Sequence, residues 1–351
     1  MLTGANGAGK TNLLEAVSLL APGQGLRGSA YAALSRRGGS GTWAVAARVH
    51  GPGGEAEIGT GLKANVNPER AGRIVRIDGR QARSAGALGR HVQAVWLTPA
   101  MDGLFTGPAS ERRRFLDRLI QGLEPGHRTL AARFERAMRQ RNRLLEVGER
   151  GRALFEAIEA QMAEAGVALA AGRLEAVRRL AARIEAQRAA TPDNPFPWAE
   201  VALEGTIESH LETAPAVEVE DAYRGALERG RERDRAAGRT LEGPHRSDVA
   251  VAHGPKALPA RDCSTGEQKA LLVGLVLAHA ELVALARGGF APLLLLDEIA
   301  AHLDAIRRHA LFAEILRLRC QAWMTGTDWK TFENLAESVQ NLTLENGGVR
   351  R

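Results

Sequence analysis

Gly4-Ala5-Asn6-Gly7-Ala8-Gly9-Lys10-Thr11 opens the chain, and Leu13, Leu14, Ala16, Val17 and Leu20 follow it at helical spacing. The stretch fits Gly-x-x-x-x-Gly-Lys-Thr, the phosphate-binding loop, at every fixed position. Its glycines let backbone N–H groups curl around phosphate oxygens, and the positive end of the following helix adds to the attraction. Lys10 would reach the β- and γ-phosphates, and the Thr11 hydroxyl would hold Mg²⁺. Gly4, Asn6, Gly7, Gly9, Lys10, Thr11 and Asn12 are thus the candidate ATP contacts. A strand should lead into such a loop, yet only Met1 to Thr3 precede it, so either the start is misassigned or the sheet lacks part of an edge here.

Two further motifs lie far along the chain. Pro292-Leu293-Leu294-Leu295-Leu296-Asp297-Glu298 is an apolar strand ending in two carboxylates. Asp297 would sit beside the Mg²⁺, and Glu298 could polarise an attacking water. With Lys10, these are the candidate catalytic residues; Thr11 and Asp297 are the candidate metal ligands. Cys263-Ser264-Thr265-Gly266-Glu267-Gln268-Lys269 precedes an apolar helix. A capping box of Ser264 with Glu267 accounts for this run by itself; the functional reading offers Ser264 Oγ and the Gly266 N–H to a phosphate.

Outward from the loop, Trp43 to Val49, Ile58 to Leu62 and Ile74 to Ile77 alternate, and Asp78-Gly79 is a turn signal, which predicts an antiparallel sheet. Val92 to Leu97 reads as another strand. Helical periodicity begins at Pro108 and continues through His127 to Val147 and Leu154 to Ile184, predicting a helical subdomain or a short antiparallel arm. Three prolines between Thr191 and Pro197 end it. A strand over Trp198 to Leu203, a charged helix over Val217 to Ala237 and a strand after Arg246 follow. Beyond Ser264, helix alternates with apolar strands at Leu293 to Leu296 and Ala322 to Thr325, the pattern of a parallel α/β sheet.

The 351 residues exceed one compact core, and 44% apolar with 25% charged residues is ordinary for a globular chain. Two cysteines, Cys263 and Cys320, are too few for a disulfide framework and point to a reduced, cytoplasmic setting. The longest apolar stretch, Ala270 to Ala280, is about half the length a membrane span needs, so no membrane association is expected. The net charge of +6 is carried between Glu111 and Arg152, where 12 Arg face 6 acids. Such a block suits a polyanion or a merely solvated helix face. Aromatic residues are 4% of the chain, which argues for gripping phosphates rather than stacking bases. Arg112, Arg113, Arg114, Arg139, Arg141 and Arg143 are the candidate polyanion contacts, and the DNA-binding candidates under the resemblance given next, although helical spacing spreads them over several faces.

Together, the phosphate loop, the Ser264 to Gln268 signature, the Asp297-Glu298 strand and His302-Leu303-Asp304 resemble the ATP-binding-cassette ATPases. Leu2 to Ala16, Arg112-Arg113-Arg114-Phe115-Leu116-Asp117-Arg118, Gly243-Pro244-His245-Arg246-Ser247-Asp248 and the Cys263 run narrow the likeness to the RecF family of bacterial recombination mediators, relatives of the SMC proteins. The resemblance implies an α/β ABC-type ATPase head (residues 1–107 and 239–351) with an inserted, mainly helical lobe (108–238) for DNA binding and dimerisation. It implies an ATP-dependent homodimer in which Ser264, Gly266, Glu267 and Asp304 meet the partner copy's nucleotide. It further implies a clamp on duplex or gapped DNA that, with RecR, helps load RecA in recombinational repair, supporting replication restart and the SOS response, with slow hydrolysis as the release switch. Met324-Thr325-Gly326-Thr327-Asp328 lacks the switch histidine of transporter ATPases, so Thr325 or Thr327 is expected to hydrogen-bond the γ-phosphate.

Two other classes compete. A transporter ATPase subunit needs a short helical insert, whereas 254 positions separate Lys10 from Ser264. A non-hydrolysing interaction module differs from the clamp in what a Glu298→Gln substitution would do.

Overall fold

The computed structural model describes residues 1–36, 38–62, 72–299, 303–327, 332, 339–345 and 348–350; His302 and Asp328 lie outside them. The chain forms two compact units: Met1–Asp102, Asp193–Phe196 and Leu272–Arg351 in the first, Gly103–Pro192 and Pro197–Leu271 in the second.

In the first unit, β1 (Leu2–Thr3) runs into the glycine loop and α1 (Lys10–Ser18). A meander follows: β2 (Trp43–Gly51), β3 (Gly54–Leu62), β4 (Arg73–Ile77) and β5 (Arg80–Gln81), paired antiparallel in that order. Asp78 and Gly79 both take positive φ, 50° and 75°, so the β4–β5 turn is the two-residue type that suits strand twist. After β6 (Ala94–Leu97) the chain enters the second unit.

That unit is mostly helical: α2 (Ala109–Leu123), α3 (His127–Glu146), α4 (Arg152–Ala190), then β7 (Ala199–Glu204), α5 (Thr206–Leu211), α6 (Ala216–Arg229) and α7 (Arg231–Ala237). Phe134 and Ala137 of α3 pack on Met162, Ala165 and Leu169 of α4 and on Val219 and Tyr223 of α6. Gly166 allows a close approach there, since a Cβ would lie 3.0 Å from the Tyr223 ring and 3.2 Å from that of Phe134. The charged helix expected over Val217 to Ala237 is two helices, divided at Gly230, a weak helix former. β8 (Asp248–His253) pairs antiparallel with β7 and with β9 (Leu258–Pro259). Val249 packs with Leu116, Ile120 and Val177 of the helices. Residues 239–271, expected in the ATPase head, therefore group with the helices instead.

The division falls within α8 (Thr265–Ala286). This helix is long and apolar enough to cross a membrane by composition, unlike the shorter stretch read from sequence, but 78% of its apolar window is buried inside the protein.

The first unit closes with β10 (Leu293–Leu296), α9 (Ala305–Arg317), β11 (Ala322–Met324), β12 (Leu342–Glu345) and β13 (Gly348–Arg350). β10 lies between β6 and β11, parallel to both. Leu294, Leu295 and Leu296 are at most 2% exposed, as a strand covered on both faces requires. β1 pairs in parallel with β12, and a single parallel bridge from Leu2 to Thr325 carries the pairing across to the end of β11. β1 is thus flanked on both sides, and Leu2 is fully buried against Leu14, Trp96, Leu295 and Leu344.

Candidate nucleotide site

The loop between β1 and α1 takes the shape its glycines permit. Gly4, Gly7 and Gly9 have φ of 143°, 84° and 103°, values that side chains with a Cβ avoid. At Gly4 a Cβ would also lie 2.5 Å from the Leu344 carbonyl oxygen, so β12 presses directly on the loop. Ala5, Asn6 and Gly7 form an exposed crest, and Asn12 is exposed on the first turn of α1. Lys10 is buried, with its ammonium donating to the carbonyls of Gly4 (2.6 Å) and Ala5 (3.0 Å). A groove of 1110 Å³ runs along the loop, lined also by Leu13, Arg36, Thr343 and Glu345. Arg36 and the residues of β12 are contributors that motif reading missed; no local pattern marks them, because the fold alone brings them here.

Beside the loop, the end of β10 supplies two carboxylates. The Thr11 hydroxyl donates to Asp297 at 3.0 Å from Oδ2 and 3.2 Å from Oδ1. The Thr325 hydroxyl donates to Asp297 Oδ1 at 2.8 Å and accepts the Glu298 N–H at 2.8 Å. Thr325 is 1% exposed, so its hydroxyl is engaged and enclosed, which corrects the expectation that it meets the γ-phosphate. Thr327 is exposed. Glu298 adopts φ +55°, a left-handed conformation unusual for a residue with a side chain. Its half-buried carboxylate has no partner among the described residues. A hydroxyl against one carboxylate, with a second carboxylate free alongside, is a donor set suited to a hard divalent cation and to polarising water.

In the second unit, the signature run caps α8. Ser264 donates its N–H (3.0 Å) and hydroxyl (2.9 Å) to Glu267, whose own N–H returns to Ser264 Oγ (3.4 Å). The Lys256 ammonium and these Ser264 bonds hold the Glu267 carboxyl low, at about 2. Ser264 and Gly266 are exposed, and a Cβ on Gly266 would meet nothing within 4 Å. Asp304, on the first unit, is the N-cap of α9, accepting the Arg307 N–H at 2.8 Å.

The DNA-binding candidates separate by burial. Arg141 is fully buried: it donates to Glu159 (3.0 Å), Asp234 (2.6 Å), Thr240 Oγ1 (2.9 Å) and the Leu227 carbonyl (2.8 Å). It therefore has no surface to offer a phosphate. Arg112 is a fork to Asp248, at 2.7 Å on both oxygens, with a third bond to the Gly107 carbonyl at 2.6 Å. Arg113 donates to the Ser247 carbonyl, and its pKa is lowered by burial and by neighbouring Arg173. These three hold the unit together and are set aside as DNA contacts. Arg114, Arg139 and Arg143 are exposed and, among the described residues, pair only with Glu111, Glu135 and Glu146 on their own helices.

The same pattern explains two of the motif runs. Asp117 takes both Arg173 nitrogens at 2.8 Å and His127 Nε2 at 2.8 Å. Despite the desolvation that pushes it up, the Arg173 and His127 bonds lower its pKa to about 2. Arg173 also donates to the Pro244 carbonyl, Ser247 Oγ to Glu208, and His245 Nε2 lies 3.1 Å from the Thr240 carbonyl. Arg112 to Arg118 and Gly243 to Asp248 are thus stitched to one another. Sequence reasoning missed Asp117, Glu159 and Asp234 as the partners, because pairs far apart in the chain leave no spacing to read.

Comparison with known proteins agrees with the motifs. Residues 1–350 match the family described as the RecF/RecN/SMC N terminal domain. The chain is 57% identical over 350 residues to the DNA replication and repair protein RecF of Mesorhizobium japonicum, covering 99% of this chain and 90% of that relative. It is 52% identical to that of Allorhizobium ampelinum, covering 99% and 91%. Its fold is shared with a solved structure of the recombination mediator protein RecF-ATPrS in the RecFOR pathway, at a TM-score of 0.84 and 22% identity, covering 99% of this chain and 90% of that one. Sequence, motif order and fold converge: the chain belongs to the RecF family of DNA replication and repair proteins, built on the SMC-type ABC ATPase head.

Proposed function

We propose that the chain is an ATP-gated DNA clamp of recombinational repair. The observation that carries this is the Thr11–Asp297–Glu298 cluster against the glycine loop, where a hydroxyl and a carboxylate stand 3.0 Å apart. In this reading Gly4, Asn6, Gly7, Gly9, Lys10 and Asn12 hold the ATP phosphates, and Lys10 leaves its loop carbonyls to do so. Thr11 and Asp297 hold Mg²⁺, which neutralises charge on the transferring phosphoryl group when bound. Glu298, whose carboxylate has no partner among the described residues, orients and deprotonates the water. Solved RecF-ATP and RecF-ATPrS structures of the shared fold support the nucleotide assignment.

Ser264, Gly266, Glu267 and Asp304 serve the nucleotide of a second copy, so ATP joins a homodimer and slow hydrolysis releases it. The exposure of Ser264 and Gly266 supports a contact made outside their own chain. DNA lies along α3, where Arg128, Arg136, Arg139 and Arg143 fall within about 80° of one side of the helix and span about 22 Å. Arg128 and Arg136 are exposed without partners among the described residues, which suits sequence-blind contact with the phosphate backbone of duplex or gapped DNA. The clamp acts with RecR in loading RecA, in the cytoplasm, and so supports replication restart and the SOS response.

A Glu298→Gln chain tests the switch. With ATP and Mg²⁺ it is expected to sediment as a stable dimer that retains DNA, while the unsubstituted chain returns to monomer as ATP is consumed. A monomer under both conditions, with no DNA binding at low salt, would remove the clamp reading.

A further inference from the structure

We propose that Thr325 is a positioning residue for the reaction: its one hydroxyl fixes both the carboxylate that holds the metal and the backbone that aims the water-polarising glutamate. The proposal rests on the roles given to Asp297 and Glu298 above. Thr325 follows the last residue of β11, and its N–H donates to the Leu296 carbonyl at 3.0 Å, so its main chain is tied to the end of β10. The bridge to Leu2 ties it equally to the strand that enters the glycine loop. The side chain is therefore held from two sides in a pocket that is 1% exposed.

The hydroxyl then makes two bonds of opposite sense. As donor it fixes Asp297 Oδ1 at 2.8 Å, which sets the rotation of the carboxylate and turns Oδ2 towards Thr11, 3.0 Å away. As acceptor it takes the Glu298 N–H at 2.8 Å. The same residue is left-handed at φ +55°, a conformation costing on the order of 1–3 kcal/mol unless the surroundings compensate it. Removing the hydroxyl would free the carboxylate to rotate, orphan a backbone donor and release the constraint that keeps Glu298 in its strained form. Outer bonds of this kind typically govern metal affinity or activity by 10- to 100-fold.

The test compares Thr325→Val, which keeps the shape and loses both bonds, with Thr325→Ser, which keeps both bonds. Affinity for a fluorescent ATP analogue is titrated with Mg²⁺ and with EDTA, and single-turnover hydrolysis is followed beside it. For Thr325→Val, the tightening that Mg²⁺ brings is expected to fall by about 10- to 100-fold, with affinity in EDTA unchanged and hydrolysis slowed. Thr325→Ser is expected to restore both. An unchanged Mg²⁺ effect and rate in the valine chain would overturn the proposal, as would a serine chain no better than valine. Thermal melting checks folding; if the valine chain does not fold, Thr325→Cys, which loses the methyl and puts a poor hydrogen-bonding thiol where the hydroxyl stood, is expected to show the same loss. Asp297→Asn run in parallel separates the two readings. If it too leaves the Mg²⁺ effect intact, the metal site itself is wrong and this proposal falls with it; if it abolishes the effect while Thr325→Val does not, only the Thr325 role fails.

Discussion

Two clusters of carboxylates in this protein differ in kind. Around Arg141, Glu159 and Asp234 are at most 2% exposed, and their charge is met by Arg141, with Arg231 adding a second cation on Glu159. At the end of β10, Asp297 accepts from the hydroxyls of Thr11 and Thr325, the Glu298 N–H donates to Thr325, and no cation pairs with either carboxylate among the described residues. The first cluster is closed, its charges cancelling inside the packing. The second holds negative charge ready for something that arrives from outside. Charge alone does not mark a functional site; an uncancelled charge held in a fixed geometry does.

The largest effect should come from opening the closed cluster. Arg141→Met would leave Glu159 and Asp234 buried without their shared cation, at about 3–5 kcal/mol, measured by urea denaturation. Asp297→Asn should leave stability within about 1 kcal/mol while abolishing hydrolysis. Equal destabilisation by both would erase the distinction.

Acid should act next, through Asp117. Its folded pKa of about 2 lies below the ordinary 3.8, so its stabilisation is present above pH 3.8 and is lost as pH falls towards 2. About 2 kcal/mol should disappear across that window, and Asp117→Asn should flatten that part of a stability-against-pH curve. A smaller effect is due at the signature. Ser264→Ala removes a capping bond worth about 1 kcal/mol; if it also abolishes ATP-dependent dimerisation, the residue does more than cap α8, and if dimerisation persists, capping is its whole role. The smallest change in stability, within about 0.5 kcal/mol, belongs to Arg136→Ala. Its DNA affinity should nevertheless drop, with the salt slope reduced by about 1, whereas an unchanged slope would remove α3 from the DNA face.

The motifs that reach their ligand through local backbone were legible in the sequence. Gly4 to Thr11 needs only its own turn and helix, Leu293 to Leu296 is buried on both faces as its composition says, and Asp78-Gly79 makes the turn its φ preferences demand. What composition could not show is which arginines are interior. Arg139, Arg141 and Arg143 alternate along α3, yet only Arg141 points inward, to acids 18 and 93 residues away. The grouping of residues 239–271 was hidden for the same reason: β8 belongs with β7, across three intervening helices. Thr325 reads as one polar residue ending a strand, and its two bonds exist only once β10 and β11 are side by side.

The pairing of β1 with β12 sets an order of events in the life of the chain. Thr3 and Thr343 are 340 residues apart in sequence and adjacent in the sheet. The strand that enters the phosphate loop therefore gains its β12 partner only after the ribosome has passed residue 342. Contacts of such sequence separation are slow to form, since loop closure precedes any gain from them. A nascent chain can fold its helical unit early, but it carries the first motif of the nucleotide site without the strand that braces it. A ribosome stalled before residue 342 would leave a chain whose phosphate loop lacks its β12 brace.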